Sequence, residues 1–137
     1  MKSGFTFEQL ENYYKLAIAK GYEVITCAEY AERKAFLHDR VLVNRVDIDY
    51  SVKKASRLLE IFKRLGIRAS FFVRLHAPEY NPFSFENYRI LKQIRDSDSE
   101  IGYHSEVVDQ AAIWGEDPVD CLLRDISLLN TALNTSI

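Results

Sequence analysis

Two hydrophobic rhythms alternate along this chain, one with a period of two residues and one with the period of a helix. The strongest two-residue stretch is Val41 to Ser51, VLVNRVDIDYS. Side chains alternate faces along a strand, so Val41, Val43, Arg45, Asp47 and Asp49 share one face. Leu42, Asn44, Val46, Ile48 and Tyr50 share the other. A second strand is predicted over Ile67–Leu75, IRASFFVRL, and shorter ones over Glu23–Cys27 and Glu100–His104. Between them lie helical patterns. Thr6 and Gln9 form a capping-box pattern for a helix to about Lys20, with Gly21 as its stop and Leu10, Tyr13, Tyr14, Leu16 and Ala17 as its apolar face. A short, charge-rich helix is expected over Ala28–Leu37. Ser51 can cap a helix whose Ala55, Leu58, Leu59, Phe62 and Leu65 fall at core-facing spacing, with Gly66 ending it. Pro78, Asn81 and Pro82 mark a loop. Ser84 then caps a helix carrying Tyr88, Ile90, Leu91 and Ile94. After the polar turn Asp96–Ser99 and the strand at Glu100–His104, the stretch containing Trp114 and Gly115 reads as irregular. Pro118 opens a last helix with Leu122, Leu123, Ile126 and Leu129 inward.

Strand and helix patterns that alternate in this way predict an α/β fold with parallel strands and crossover helices. About four βα units fit into a single domain over residues 1–137. A closed (β/α) barrel needs roughly 200 residues or more. Two expectations therefore stand side by side: a compact open sheet, or part of a larger barrel.

Composition narrows the function classes. The chain is 47% hydrophobic and 28% charged, ordinary for a soluble globular protein. Its net charge of −2 and the lack of a basic stripe argue against nucleic-acid binding. No apolar run approaches the ~20 residues of a membrane helix, and MKSGFTFEQL lacks the apolar core of a secretion signal. A cytoplasmic location is the expectation. Cys27 and Cys121 stand alone, without the spacing of a zinc or redox motif, and are expected to be buried free thiols.

The candidate chemistry lies at strand ends. One face of Val41–Ser51 turns from apolar to charged as the strand finishes, placing Asp47 and Asp49 side by side at its C-terminal end. Ligands collect at that end in α/β folds. Two adjacent acids repel each other unless a cation, a shared proton or a basic neighbour relieves them. Arg45, on the same face, could pair with one of them, and Asp49 could cap the following helix. His104 ends another strand and in a parallel sheet reaches the same rim. Two aspartates and a histidine there are a workable start for a divalent metal site, and Glu106 would point the same way as His104 if the chain stayed extended. Arg74 and His76 alternate onto one strand face and read as solvent-facing or core-satisfied. Tyr80, Phe83, Phe85 and Tyr88 could stack on a sugar, although such aromatics more often pack.

The order Arg45-Val46-Asp47-Ile48-Asp49-Tyr50, a helix, Leu65-Gly66-Ile67-Arg68-Ala69-Ser70-Phe71-Phe72, then Glu100-Ile101-Gly102-Tyr103-His104 resembles the polysaccharide deacetylase family. It is closest to the branch with an Asp-x-Asp in its first motif, over roughly Val41 to Asp109. The resemblance implies a partial (β/α) barrel, the N-terminal half of such a domain. It also implies a metal-dependent hydrolase that removes N-acetyl groups from a sugar or polysaccharide precursor, with a divalent metal, zinc by default. Asp47 would be the general base, with Asp49 and His104 as metal ligands. The family has a second histidine four residues after the first. Here that position is Val108, which cannot bind metal. Glu106 or Asp109 could substitute, and Glu106 shares the face of His104 in extended chain. The later motifs would lie beyond Ile137.

Two competing readings belong to other classes. One is a non-catalytic deacetylase-like domain that binds a carbohydrate or a protein partner. The other, a phosphoacceptor signalling domain, wants a lone strand-end Asp later in the sheet and a Lys ending the last strand, and neither is present. A half-barrel would expose sheet edges, so self-association is also expected.

Overall fold

A computed structural model of the chain describes residues 5–137. Among these residues the fold is α/β, with six helices and two small parallel sheets, and no closed barrel. The order is α1 (Phe7–Ala19), β1 (Glu23–Ile25), α2 (Cys27–Arg33), β2 (Val41–Val43), β3 (Arg45–Ile48), α3 (Val52–Leu65), β4 (Ser70–Val73), α4 (Phe85–Arg95), β5 (Glu100–Tyr103), α5 (Val107–Trp114) and α6 (Pro118–Leu133). One sheet pairs β1 with β2; the other runs β3-β4-β5. None of these helices is long and apolar enough to cross a membrane.

Helix starts follow the side chains that can cap them. Thr6 and Thr26 each form a full capping box, with Gln9 and Glu29 respectively. Ser51, Ser84 and Asp117 accept from the first-turn amides of α3, α4 and α6. Gly66 ends α3 in the left-handed region, φ 66°, where a side chain would be strained.

The long strand predicted over Val41–Ser51 is split. β2 pairs with β1, β3 pairs with β4, and the change falls at Asn44. The Asn44 N–H donates to the Ile25 carbonyl at 2.8 Å, and its own carbonyl accepts the Ser70 N–H at 2.8 Å. Asn44 is therefore the joint between the two sheets. Its side chain is buried with both ends paired: Oδ1 accepts from the Tyr14 hydroxyl at 2.5 Å and Nδ2 donates to the Arg68 carbonyl at 3.0 Å.

The alternation predicted for β3 sets the two faces of the larger sheet. In register, Val46 faces Phe71 and Ile101 on its neighbours, and Ile48 faces Val73 and Tyr103. These side chains enter one core with Val52, Ala55, Leu59 and Phe62 of α3, Ile90, Leu91 and Ile94 of α4, and Leu129 and Leu133 of α6. The opposite face carries three rows, Arg45–Ser70–Glu100, Asp47–Phe72–Gly102 and, just past the strands, Asp49–Arg74–His104, the middle one holding an aromatic ring between polar neighbours. The first turn of α2 closes the lower row, with the Cys27 N–H on Ser70 Oγ at 2.7 Å and the Ala28 N–H on Glu100 Oε2 at 3.0 Å.

Several expectations need correction. The stretch before Gly115 is not irregular but the helix α5, which Gly115 ends at φ 66°. In α6 the buried stripe is Cys121, Asp125, Leu129 and Leu133, whereas Leu123 is 61% exposed. The helix turns about 100° per residue, so a stripe built on positions 121 and 125 leaves 123 on the far side. Helix α1 buries no residue fully, and its Tyr13 and Leu16 face outward. Tyr14 is its anchor, edge-on to Phe62 at 5.2 Å. Cys121 is buried as expected, while Cys27 is half-buried; both are free.

Replacing Asn44 by Ala removes both partners of a buried joint. Leaving the Arg68 carbonyl unpaired is expected to cost about 1–3 kcal/mol. Urea unfolding measures it, and a midpoint equal to that of the parent chain would contradict the role given to Asn44.

Candidate functional site

The two aspartates reach the rim because Val46 and Ile48 are held in the core. Once those side chains are buried, the pleat sends Asp47 to the open face. Asp49 follows just past the strand, and Ser51, not Asp49, caps α3. From β5 the same alternation buries Tyr103 and turns His104 to that face. His104 Nε2 lies 3.5 Å from Asp49 Oδ1 and 3.8 Å from Asp47 Oδ2. Residues 57 positions apart in sequence thus meet within one solvent-facing group, because β3 and β5 flank β4 in parallel.

Each acid has a different basic neighbour. Arg45 Nε donates to Asp47 Oδ1 at 2.8 Å, and its guanidinium lies 4.5 Å from the Phe72 ring centroid. Both partners are well exposed, so the pair contributes about 0–1 kcal/mol, with a cation–π contact worth ~0.5–1 kcal/mol. Neither holds Asp47 firmly. Arg74 sits between Asp49 and Glu106, with Nη1 3.2 Å from the Asp49 carbonyl. Its Nε and Nη2 bind Glu106 Oε1 at 2.9 and 2.5 Å. This pair is far more enclosed, its side chains only 20% and 14% exposed, and charge-assisted contacts of that kind are the strong ones.

Glu106 therefore departs from the geometry expected of it. The chain does not stay extended after His104; Glu106 stands at the N-terminal boundary of α5 with φ −126° and ψ 26°. Its carboxylate turns to Arg74, and its Oε2 also accepts the His76 amide at 3.3 Å. Asp109 lies in the first turn of α5 and Val108 is 78% exposed. A cleft of about 320 Å³ opens here, lined by Asp49, Arg74, His104 and Glu106 among others.

The donor set can be tested against a divalent ion. Ligands of a tetrahedral ion at roughly 2.0–2.1 Å stand about 3.3–3.4 Å apart. The His104–Asp49 separation of 3.5 Å has this span. Asp47 is wider and shares its other oxygen with Arg45, and Glu106 is committed to Arg74. Among the described residues, no three His, Cys, Asp or Glu side chains stand ready as a complete cage. Asp49 and His104 fit as two ligands, and the remaining positions would fall to water or substrate.

The loop after β4 is tied down by residues first weighed for sugar contact. The Tyr80 hydroxyl donates to the Ile48 carbonyl at 2.7 Å and accepts the Arg74 amide at 3.0 Å, bracketing the ends of β3 and β4. Burial pushes its hydroxyl pKa up to about 12. Tyr88 donates to the Ala132 carbonyl, while Phe85 is 98% exposed.

A second polar cluster was missed in sequence. Asp125, fully buried in α6, accepts on Oδ2 from the Tyr103 hydroxyl (2.5 Å), Gln110 Nε2 (2.6 Å) and His76 Nε2 (2.8 Å). Its signal was an acid in the helical core stripe between Cys121 and Leu129. Burial pushes the Asp125 carboxyl up, but the bonds from Tyr103, Gln110 and His76 outweigh it and leave it below the ordinary carboxylate value. Tyr103, buried and facing that carboxylate, is pushed up.

Compared with family models, with curated proteins and with solved structures, the chain matches none of them.

A carboxyl with a lowered folded pKa stabilises the fold fully above its unfolded value of 3.8 and ceases to do so as pH falls through the folded value. As pH falls below the unfolded value of 3.8, the urea midpoint of the parent chain should thus drop more steeply than that of Asp125→Asn. Parallel pH profiles would contradict the assignment.

Proposed function

We propose that this chain is a metal-dependent, deacetylase-like hydrolase domain, acting on the N-acetyl group of a sugar or polysaccharide precursor, with the strand arrangement of a partial (β/α) barrel. The observation that carries this reading is the convergence of Asp47, Asp49 and His104 on one rim, at 3.5 and 3.8 Å from the imidazole. The motif order Asp-x-Asp, strand, Gly-Tyr-His supports it, as does a sheet with α3, α4 and α6 packed on one face while the acids line the other.

In this reading Asp49 and His104 hold a divalent ion, zinc by default. Such an ion supplies Lewis acidity to an amide carbonyl and lowers the pKa of water. Asp47 accepts the proton of the attacking water, for which it needs only to exchange the weak Arg45 contact. Arg74, fixed by Glu106, keeps a positive charge beside Asp49 and limits the repulsion between the two acids. Glu106 is thus assigned to holding Arg74, not to the metal. Protonation of the leaving amine requires an acid outside this group.

A second reading has specific support. Val108 replaces the expected ligand and Glu106 is engaged elsewhere, which suits a non-catalytic domain that keeps the fold and binds a carbohydrate or protein partner.

Acetate release from an N-acetylglucosamine oligomer, measured with zinc or cobalt added, separates the two. The hydrolase reading expects release that Asp47→Asn lowers by about a hundredfold or more while bound metal is retained, and metal loss in Asp49→Asn and His104→Ala. A parent chain that holds no metal and releases no acetate supports the non-catalytic alternative.

A further inference from the structure

The open face of the β3-β4-β5 sheet carries one feature that hydrolysis does not use. In the row Asp47–Phe72–Gly102 an aromatic ring occupies the middle of an otherwise polar surface. Phe72 is only partly buried, unlike Phe71, which alternates into the core with no exposure. The missing side chain of Gly102 makes room for it. A Cβ at Gly102 would lie 2.6 Å from Phe72 Cε1 and 2.7 Å from Cδ1, so the ring edge rests on the β5 backbone. The Arg45 guanidinium lies over the ring, 4.5 Å from its centroid and on a side chain that is 55% exposed. That same guanidinium bonds Asp47, whose other oxygen faces His104. Ring, acid and imidazole therefore form one continuous patch.

An aromatic floor bordered by an arginine and a carboxylate has the chemistry that recognises a pyranose. The ring offers an apolar, electron-rich face to the axial C–H groups of the sugar, and planar polar groups at its border take the hydroxyls. We propose that Phe72 is the stacking platform for a sugar ring, with Gly102 setting its height and Arg45 moving from the ring to the sugar hydroxyls when it binds. This proposal rests on the carbohydrate reading of the rim, and it adds the subsite next to the acids that orients the sugar. Lone hydrophobic packing does not account for the arrangement, because the core-facing partner in the same strand is Phe71.

The test uses the EDTA-treated chain, so that binding is read apart from hydrolysis. Chitotetraose is titrated while the aromatic ring signals of Phe72, identified by their absence in Phe72→Leu, are followed by NMR. Saturation transfer from that ring to the sugar protons is expected. Affinity should fall about tenfold in Phe72→Leu and in Gly102→Ala, which displaces the ring without altering it, and stay within about twofold in Phe72→Tyr. Far-UV circular dichroism identifies any variant that has lost its fold, and Phe72→Tyr then carries the comparison with the parent chain. Chitotetraose that does not bind the parent chain, or that binds Phe72→Leu unchanged, overturns the proposal. Binding through Phe72 without acetate release in the metal-loaded chain leaves the platform standing and counts only against catalysis. Acetate release with an unchanged KM in Phe72→Leu overturns the platform alone.

Discussion

The register of one four-residue strand governs everything at the rim. Ile48 is buried at 3% exposure and Val46 packs against the same core. A slip of one residue in β3 would bury Arg45 and Asp47 and expose both apolar side chains. Burying an unpaired carboxylate is far costlier than any exposed ion pair it could form, so the apolar residues fix where the acids go. The pairing of Val46 with Phe71 and of Ile48 with Val73 then carries that register across β4 to β5, where it brings His104 opposite the acids.

Around that frame the charges divide into held and free. Arg74 and Glu106 form an enclosed pair with short, charge-assisted bonds, and they brace the exits of β4 and β5. Arg45, Asp47 and Asp49 are exposed, His104 is half-buried, and all four are weakly tied. A site that must exchange protein partners for an ion, a water or a substrate needs this second kind of group. The buried Asp125 network belongs to the first kind: it joins β5, α5, α6 and the loop after β4, and it places His76 behind the sheet, not on the face of the acids.

Much of this was legible in the sequence, for identifiable reasons. Local chemistry marked the caps at Thr6, Ser51 and Ser84 and the stop at Gly66. The two-residue rhythm placed Asp47 and Asp49 together, and the parallel topology implied by alternating elements brought His104 to them. What escaped depended on contacts distant in sequence or on a break in rhythm. The split at Asn44 follows from β1 and β4 both bonding to that residue, which no local pattern reveals. The helix after Ser105 turned Glu106 away from His104, because Arg74 offered it a better partner than the rim did. Asp125 lay hidden within an apolar stripe, and Phe72 within a run of aromatic strand residues whose two faces differ only once the sheet is paired.

The central proposal is that Asp49 and His104 together hold a divalent cation beside Asp47. The chain has three histidines, so its imidazole nitrogens give three resolvable sets of ¹⁵N NMR signals. Titration with zinc should move those of His104 alone, and the movement should vanish in Asp49→Asn while His38 and His76 stay in place. Zinc that shifts His76 or His38 instead, or leaves His104 unmoved at saturating metal, would contradict it.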